Sequence, residues 1–232
     1  MDKYGSAHEW PANGGPLWLH PDDDLAPNRP GEDLHAALAA LDPRERDPGA
    51  PRTALARLTR RPLPALAWRE RLTGDQRVGD ALEELTGGGW RLLHAIPLPS
   101  HAVIAHLLIG PGGVFTVRAE HHRRARVRVG SDSAHLGGGR EVPSVRLARR
   151  EAHAASLALG RRCGFAVEAR PVLVFVAARS LTLADPSDTG GVQVLGEDDL
   201  TARLARTGGV WKPAEIETVY ALARDRRTWT RL

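Results

Sequence analysis

Arg118 and Glu120 stand two residues apart in the run V-F-T-V-R-A-E. If that run is a strand, its period of two sends both side chains to one face, where a guanidinium and a carboxylate can pair. Asp75 is a second acid of interest, and it falls in the first turn of a predicted helix over about 74–86. The helix macrodipole favours an acid there, so a purely structural role is open beside a chemical one. His106, His121 and His122 are further groups that could assist an acid pair, although His121-His122-Arg123-Arg124 also reads as a polar turn. Other features carry less chemistry. Cys163 beside Gly164 has no evident histidine partner and reads as a buried bystander. Gly110-Pro111-Gly112-Gly113 is followed by neither Lys-Ser/Thr nor a helix, so it is a chain reversal and not a phosphate-binding loop. Gly137-Gly138-Gly139 reads as part of a flexible loop over 131–142.

The elements that would position these groups follow from short apolar runs and turn residues. Val103 to Ile109 and Val114 to Val117 flank the Gly-Pro-Gly-Gly turn and predict a central β-hairpin, with strands at about 102–109 and 113–119. A helix over about 74–86, with Thr73 and Gln76 as a capping box, and a strand over about 90–96 precede it. A-R-V-R-V at 125–129 alternates and predicts a short strand whose exposed face is basic. Ser144 to Cys163 is a long amphipathic helix in which Glu151 shares the spacing of Leu147, Ala154, Ala155 and Leu159. Arg170 to Val176 suits a strand buried on both faces, Val192 to Leu195 is a further strand, and helices follow at 197–206 and 213–227. The predicted class is α/β, with a mixed central sheet flanked by helices.

The hairpin resembles the core of the nuclease-related domain (NERD) family, and with it the restriction-endonuclease-like PD-(D/E)XK fold, whose core order is α-β-β-β-α-β. The resemblance rests on Gly74-Asp75, Ile104-Ala105-His106, Gly110 to Phe115, and Arg118-Ala119-Glu120, within about residues 68–208. It implies a nuclease in which two carboxylates hold Mg²⁺ or Mn²⁺ and a lysine stabilises developing charge. Carried over residue by residue, the helix acid is Asp75, the strand acid is Ala105, the second acid is Arg118 and the lysine is Glu120. The scaffold positions match and the chemical ones largely do not. A vestigial site is therefore expected, with Asp75 and Glu120 remaining and an ion pair of Arg118 with Asp75, Glu120 or both in place of a cation. No cofactor is expected, and Mg²⁺ or Mn²⁺ only if Asp75 and Glu120 form a migrated active site.

The charge balance is +4, with a pI near 9.9, and Lys3 and Lys212 are the only lysines among 32 basic residues. Arginine enrichment of this kind accompanies a GC-rich genome, and it also suits a DNA or RNA partner. Arg123, Arg124, Arg126 and Arg128, with Arg149 on the long helix, are the expected phosphate contacts. Residues 1–60 form the first expected region, a largely disordered or loosely packed extension with a basic linker. Residues 61–232 form the second, the nuclease-like domain with its C-terminal helices. Within the extension, 33–41 can form a short helix through Leu34, Leu38 and Leu41, and Trp10 and Trp18 can serve intramolecular packing or dock a protein partner. One cysteine excludes an internal disulfide, and no apolar run approaches a membrane span, so a cytoplasmic location is expected. The leading functional reading is an inactive nuclease-related module that binds nucleic acid. A protein-interaction module and a metal-dependent nuclease with migrated residues are the alternatives.

Overall fold

The computed structural model describes residues 19–47, 63–99, 101–137, 139–185, 189–209 and 211–230, together with Gly49 and Thr53. Helices α1 (Glu32–Ala39), α2 (Pro43–Arg46) and α3 (Pro64–Glu83) precede strands β1 (Arg91–Pro97), β2 (Val103–Gly110) and β3 (Gly113–His121). Short strands β4 (Arg126–Val129), β5 (Ala134–Leu136) and β6 (Arg140–Val142) lead to helix α4 (Ser144–Cys163). Strands β7 (Ala169–Val176), β8 (Ser180–Leu183) and β9 (Gln193–Gly196) follow, and α5 (Leu200–Ala205) and α6 (Pro213–Ala223) close the order.

The main sheet runs β1-β2-β3-β7-β9, antiparallel through β3 and parallel from β3 to β9. The hairpin closes on Pro111 and Gly112, with Gly110 paired to Gly113. Gly110 has no room for a side chain, because a Cβ there would overlap the Trp90 indole. Period-two alternation sends Phe115, Val117 and Ala119 to one side of β3, where they meet Val78 and Leu82 of α3 and Leu200 of α5. Val114 points the other way, with Leu107 and Ile109 of β2, into a layer containing Leu159 of α4 and Val219 of α6. β3 and β7 carry on past a bend as β4 and β8, which pair in parallel within a second sheet, β6-β5-β4-β8. At the bend Arg124 and Ala177 take left-handed backbone (φ 57° and 55°), and the Arg124 amide donates to the Ala177 carbonyl. Loop residues 131–142, read as a glycine-rich loop, thus contain two short strands, because β5 pairs on the edge of β4 and β6 pairs on β5.

Helix α3 begins ten residues earlier than its sequence signal. Pro64 supplies the first turn and Ala65 to Arg71 include good helix formers, so the helix begins well before Thr73. Arg57, Arg60 and Arg61, read as a basic linker, lie outside the described residues. Thr73 is consequently mid-helix, its hydroxyl donating to the Arg69 carbonyl, and caps nothing.

The N-terminal extension divides in two. Residues 1–18, including Trp10 and Trp18, lie outside the described residues. Residues 19–41 pack on the domain: Leu25 is fully buried, and Leu34 and Leu38 of α1 are buried as well. Its few apolar groups are supported by long-range polar anchors. The Leu25 amide donates to the Arg224 carbonyl, Asp24 pairs with Arg224, and the Asn28 amide reaches the carbonyls of His94 and Ala95 at 3.2 Å each. Ala95 has φ 48°, which turns its carbonyl out of the β1–β2 ladder and leaves it for Asn28. Asn28→Ala is therefore expected to lower stability by about 1–2 kcal/mol, measurable as a lower denaturant midpoint with an unchanged slope.

Candidate functional site

The site is built on β3 and α4. Alternation carries Arg118 and Glu120 off β3 on the same side as Val114, towards α4, and Glu151 comes up from α4 to meet them. Arg118 Nε donates to Glu120 Oε1 at 3.0 Å, and its NH1 donates to Glu151 Oε1 at 2.5 Å. One guanidinium thus joins two carboxylates. The three side chains are only 14%, 16% and 9% exposed, so bulk water screens the pairs weakly. His122 Nε2 lies 3.3 Å from the other oxygen of Glu120.

Burial opposes the charge on every member, and the pairing decides the outcome. Arg118 is raised above the usual guanidinium range, because Glu151 and Glu120 outweigh the desolvation. Glu120 is also desolvated, yet the contact with His122 and the Arg118 charge hold it below the ordinary carboxylate range. Glu151 goes the other way: burial dominates and raises it despite Arg118. Arg118 and Glu120 therefore form the firmly ionised pair, and Glu151 is the member closest to taking a proton.

Asp75 stands apart from this cluster. It is buried, at 2% exposure, and its carboxyl is raised to about 7, chiefly by desolvation, with Arg71 and Arg118 opposing and Asp33 and Glu120 adding to the rise. Helix α3 passes close to the end of β3, where a Cβ on Gly74 would lie 2.9 Å from that of His121. Gly31, just before α1, covers Leu72 and Asp75. Because α3 packs on the Val117 side of the sheet and Arg118 leaves β3 on the α4 side, Asp75 and Arg118 do not meet. Among the described residues no hydrogen bond or ion pair joins them. Of the pairings expected for Arg118, the one with Glu120 forms, the one with Asp75 does not, and Glu151 takes the second place.

Ala105 is buried on β2 next to His106, which pairs with Val117, the residue before Arg118. Its methyl group offers no donor atom. His106 is wholly buried on the opposite face, with its Nδ1 2.8 Å from that of His94. Burial holds both imidazoles below their usual range, and His94 Nε2 lies 3.4 Å from Glu83 Oε1, away from the Arg118 cluster.

The geometry does not fit the divalent cation that the resemblance implies. Carboxylates of Glu120 and Glu151 are already bridged by a fixed positive charge, the β2 position has no oxygen, and Asp75 makes no hydrogen bond or ion pair with the cluster among the described residues. Among the described residues, no group of three or more His, Cys, Asp or Glu side chains is gathered to hold a metal.

Around the cluster lie two basic surfaces. On β4, Arg126 and Arg128 are exposed while Val127 and Val129 are buried, and Arg123 and Arg124 are exposed at the bend. Arg149, in contrast, is engaged by Asp132 from the β4–β5 turn and is only partly available. The second surface is a cleft of about 890 Å³ between α4 and the connection from β1 to β2. Glu151 is part of its lining, with Arg146 and Arg150 on its rim. Glu151 was the residue that sequence reasoning passed over, although an acid at the spacing of Leu147 and Leu159 is itself a signal.

Residues 70–176 match the nuclease-related domain family. No curated protein and no solved structure matches the chain. Among the described residues no helix is long and apolar enough to cross a membrane.

Proposed function

We propose that the protein, whose residues 70–176 match the nuclease-related domain family, is a catalytically inactive relative of that family that binds nucleic acid. One observation carries the loss of chemistry: the Arg118 guanidinium bridges Glu120 and Glu151 where the resemblance calls for an acid and a metal. A fixed organic cation can neutralise carboxylates, but it cannot polarise a bound water to hydroxide as a metal ion does. The open arginines of β4 support the binding half of the reading, since four positive side chains on and beside one exposed strand are placed to contact phosphates.

Supercoiled DNA incubated with Mg²⁺ or Mn²⁺ is expected to remain uncut by folded protein. Cutting that is lost in both Asp75→Ala and Glu120→Ala would instead establish an enzyme with a migrated site. Binding to duplex DNA is expected to weaken with salt, and Arg126→Glu with Arg128→Glu to weaken it about tenfold or more and flatten the salt slope by about two. Affinity that is indifferent to both salt and the double substitution rules out the β4 surface.

A further inference from the structure

The cleft beside the ion-pair cluster has a chemical gradient. Arg146, Arg150, His153 and Leu157 follow one another at steps of four, three and four residues, so they form a single stripe along α4. Arg146, Arg150 and His153 are exposed, and neither arginine has an ion-pair partner among the described residues. The lining also carries apolar side chains, Leu98 and Ala102 from the β1–β2 connection and Leu147 and Ala154 from α4. Leu157 is 40% exposed at the mouth, and it is one of two large apolar side chains so exposed among the described residues. Glu151 places a carboxylate beside the same cavity, held there by Arg118.

This order of groups selects the orientation of a polyanion. Phosphates are drawn to the exposed Arg146 and Arg150, and the Glu151 carboxylate gives them no reason to lie beside it. What enters must then be the uncharged part of the ligand: flat, largely apolar, and carrying hydrogen-bond donors for an acid. An unpaired base meets all three conditions, and a base held in a duplex does not, because its faces are covered by its neighbours and its pairing edge is occupied. A cavity near 890 Å³ has room for a nucleotide-sized body, within the range of roughly 300–1,000 Å³ typical of ligand sites. The Arg146 amide donates to the Asp132 carbonyl, which ties the head of the stripe to the turn that follows β4.

We infer that the cleft between α4 and the β1–β2 connection receives an unpaired nucleotide, with its base on the Leu98–Leu147–Leu157 walls and its phosphates on Arg146 and Arg150. The inference rests on the nucleic-acid reading and adds single-strand selectivity to it. It assigns the selectivity to residues other than those of the β4 surface.

The test uses the full chain, a fluorescein-labelled mixed-sequence single strand, and the same strand annealed to its complement. Anisotropy titrations are expected to show tighter binding of the single strand. Leu157→Glu and Arg150→Glu, both at exposed positions, are expected to weaken single-strand binding about tenfold or more while leaving duplex binding within about twofold. Arg126→Glu with Arg128→Glu should weaken both ligands together. Melting curves of each variant confirm that it is folded. Equal affinity for the two ligands, or cleft variants that bind the single strand like the parent, overturns the cleft assignment and leaves the β4 surface standing. Absence of binding to either ligand overturns the nucleic-acid reading, and the cleft assignment with it.

Discussion

Arg118→Met is expected to destabilise the protein by about 3–5 kcal/mol, because it strands two buried carboxylates without their cation. For a domain of this size that corresponds to a fall in melting temperature of about 10 °C. The loss comes from the partners and not from the arginine itself. Glu120 and Glu151 are 16% and 9% exposed, and among the described residues Arg118 is the one ion-pair partner of Glu151, while Glu120 keeps only its contact with His122. Neutralising all three positions, as Arg118→Met with Glu120→Gln and Glu151→Gln, is expected to recover most of the stability. An apolar or uncharged replacement of a whole buried ion cluster is often neutral or better. The deficit of the single variant also depends on pH. Burial already raises Glu151 with Arg118 in place, and removing the guanidinium raises it further above the unfolded chain. The penalty is therefore complete at pH 8 and shrinks as the pH falls towards the ordinary carboxylate range. Denaturant titrations at pH 8 and pH 5 measure this directly. Millimolar Mn²⁺ is expected to raise the melting temperature of Arg118→Met and not that of the parent, since the variant exposes an acid pair that the guanidinium otherwise occupies. A parent protein stabilised by Mn²⁺ to the same degree would contradict the view that Arg118 stands in for a cation.

Asp75→Asn is expected to act in the opposite direction. The folded-state carboxyl sits at about 7 against 3.8 for the free side chain, with burial as the main cause. The sign follows from the protons bound. Between these values the folded protein holds a proton that the unfolded chain has released, so stability declines as the pH rises through this window. Above about 7 the folded protein carries an unpaired buried charge. The shift of roughly three units sets an upper limit of about 4 kcal/mol on the cost. At 2% exposure the group has little solvent to screen it, so no large discount applies. An asparagine removes the charge and keeps the shape. Its melting temperature is expected to exceed that of the parent at pH 8 and to converge with it at pH 4. Equal melting temperatures at pH 8 would mean that Asp75 is solvated or paired there. A stabilised Asp75→Asn that retains single-strand binding would mean that the acid at this position is a relic of the scaffold and not a participant in recognition.

How much was legible depended on how far each determinant reaches along the chain. The central hairpin was readable because its signal is local: apolar runs on either side of Gly110 to Gly113 leave a reversal as the only outcome. Helix α4 was readable from Ser144 to Cys163 for the same reason, with Gly164 in left-handed backbone to end it. The start of α3 was misplaced because Thr73 imitates a cap, and the stronger start at Pro64 lies in a stretch whose arginines and prolines suggest a linker. Strand β8 and the strands of 134–142 were missed because runs of three or four residues have no periodicity to detect, and they form only against neighbours, β5 and β8 on β4 and β6 on β5. Residues 19–41 looked loose because their composition is poor in apolar groups, yet Leu25, Leu34 and Asn28 find partners at both ends of the domain.

The sequence by itself determined that position 105 offers no ligand atom and which face of β3 bore the charges. Alanine at 105 can ligate nothing, and alternation puts Arg118 and Glu120 side by side, whatever surrounds them. Tertiary structure alone decided the partners. Glu151 lies 33 residues from Arg118 along the chain and reaches it only because α4 packs on that side of the sheet, whereas α3 carries Asp75 to the other. Side-chain direction along a strand is a local property of the backbone. Which helix covers which face is set by the burial of many apolar side chains at once, and no short stretch of sequence contains that information.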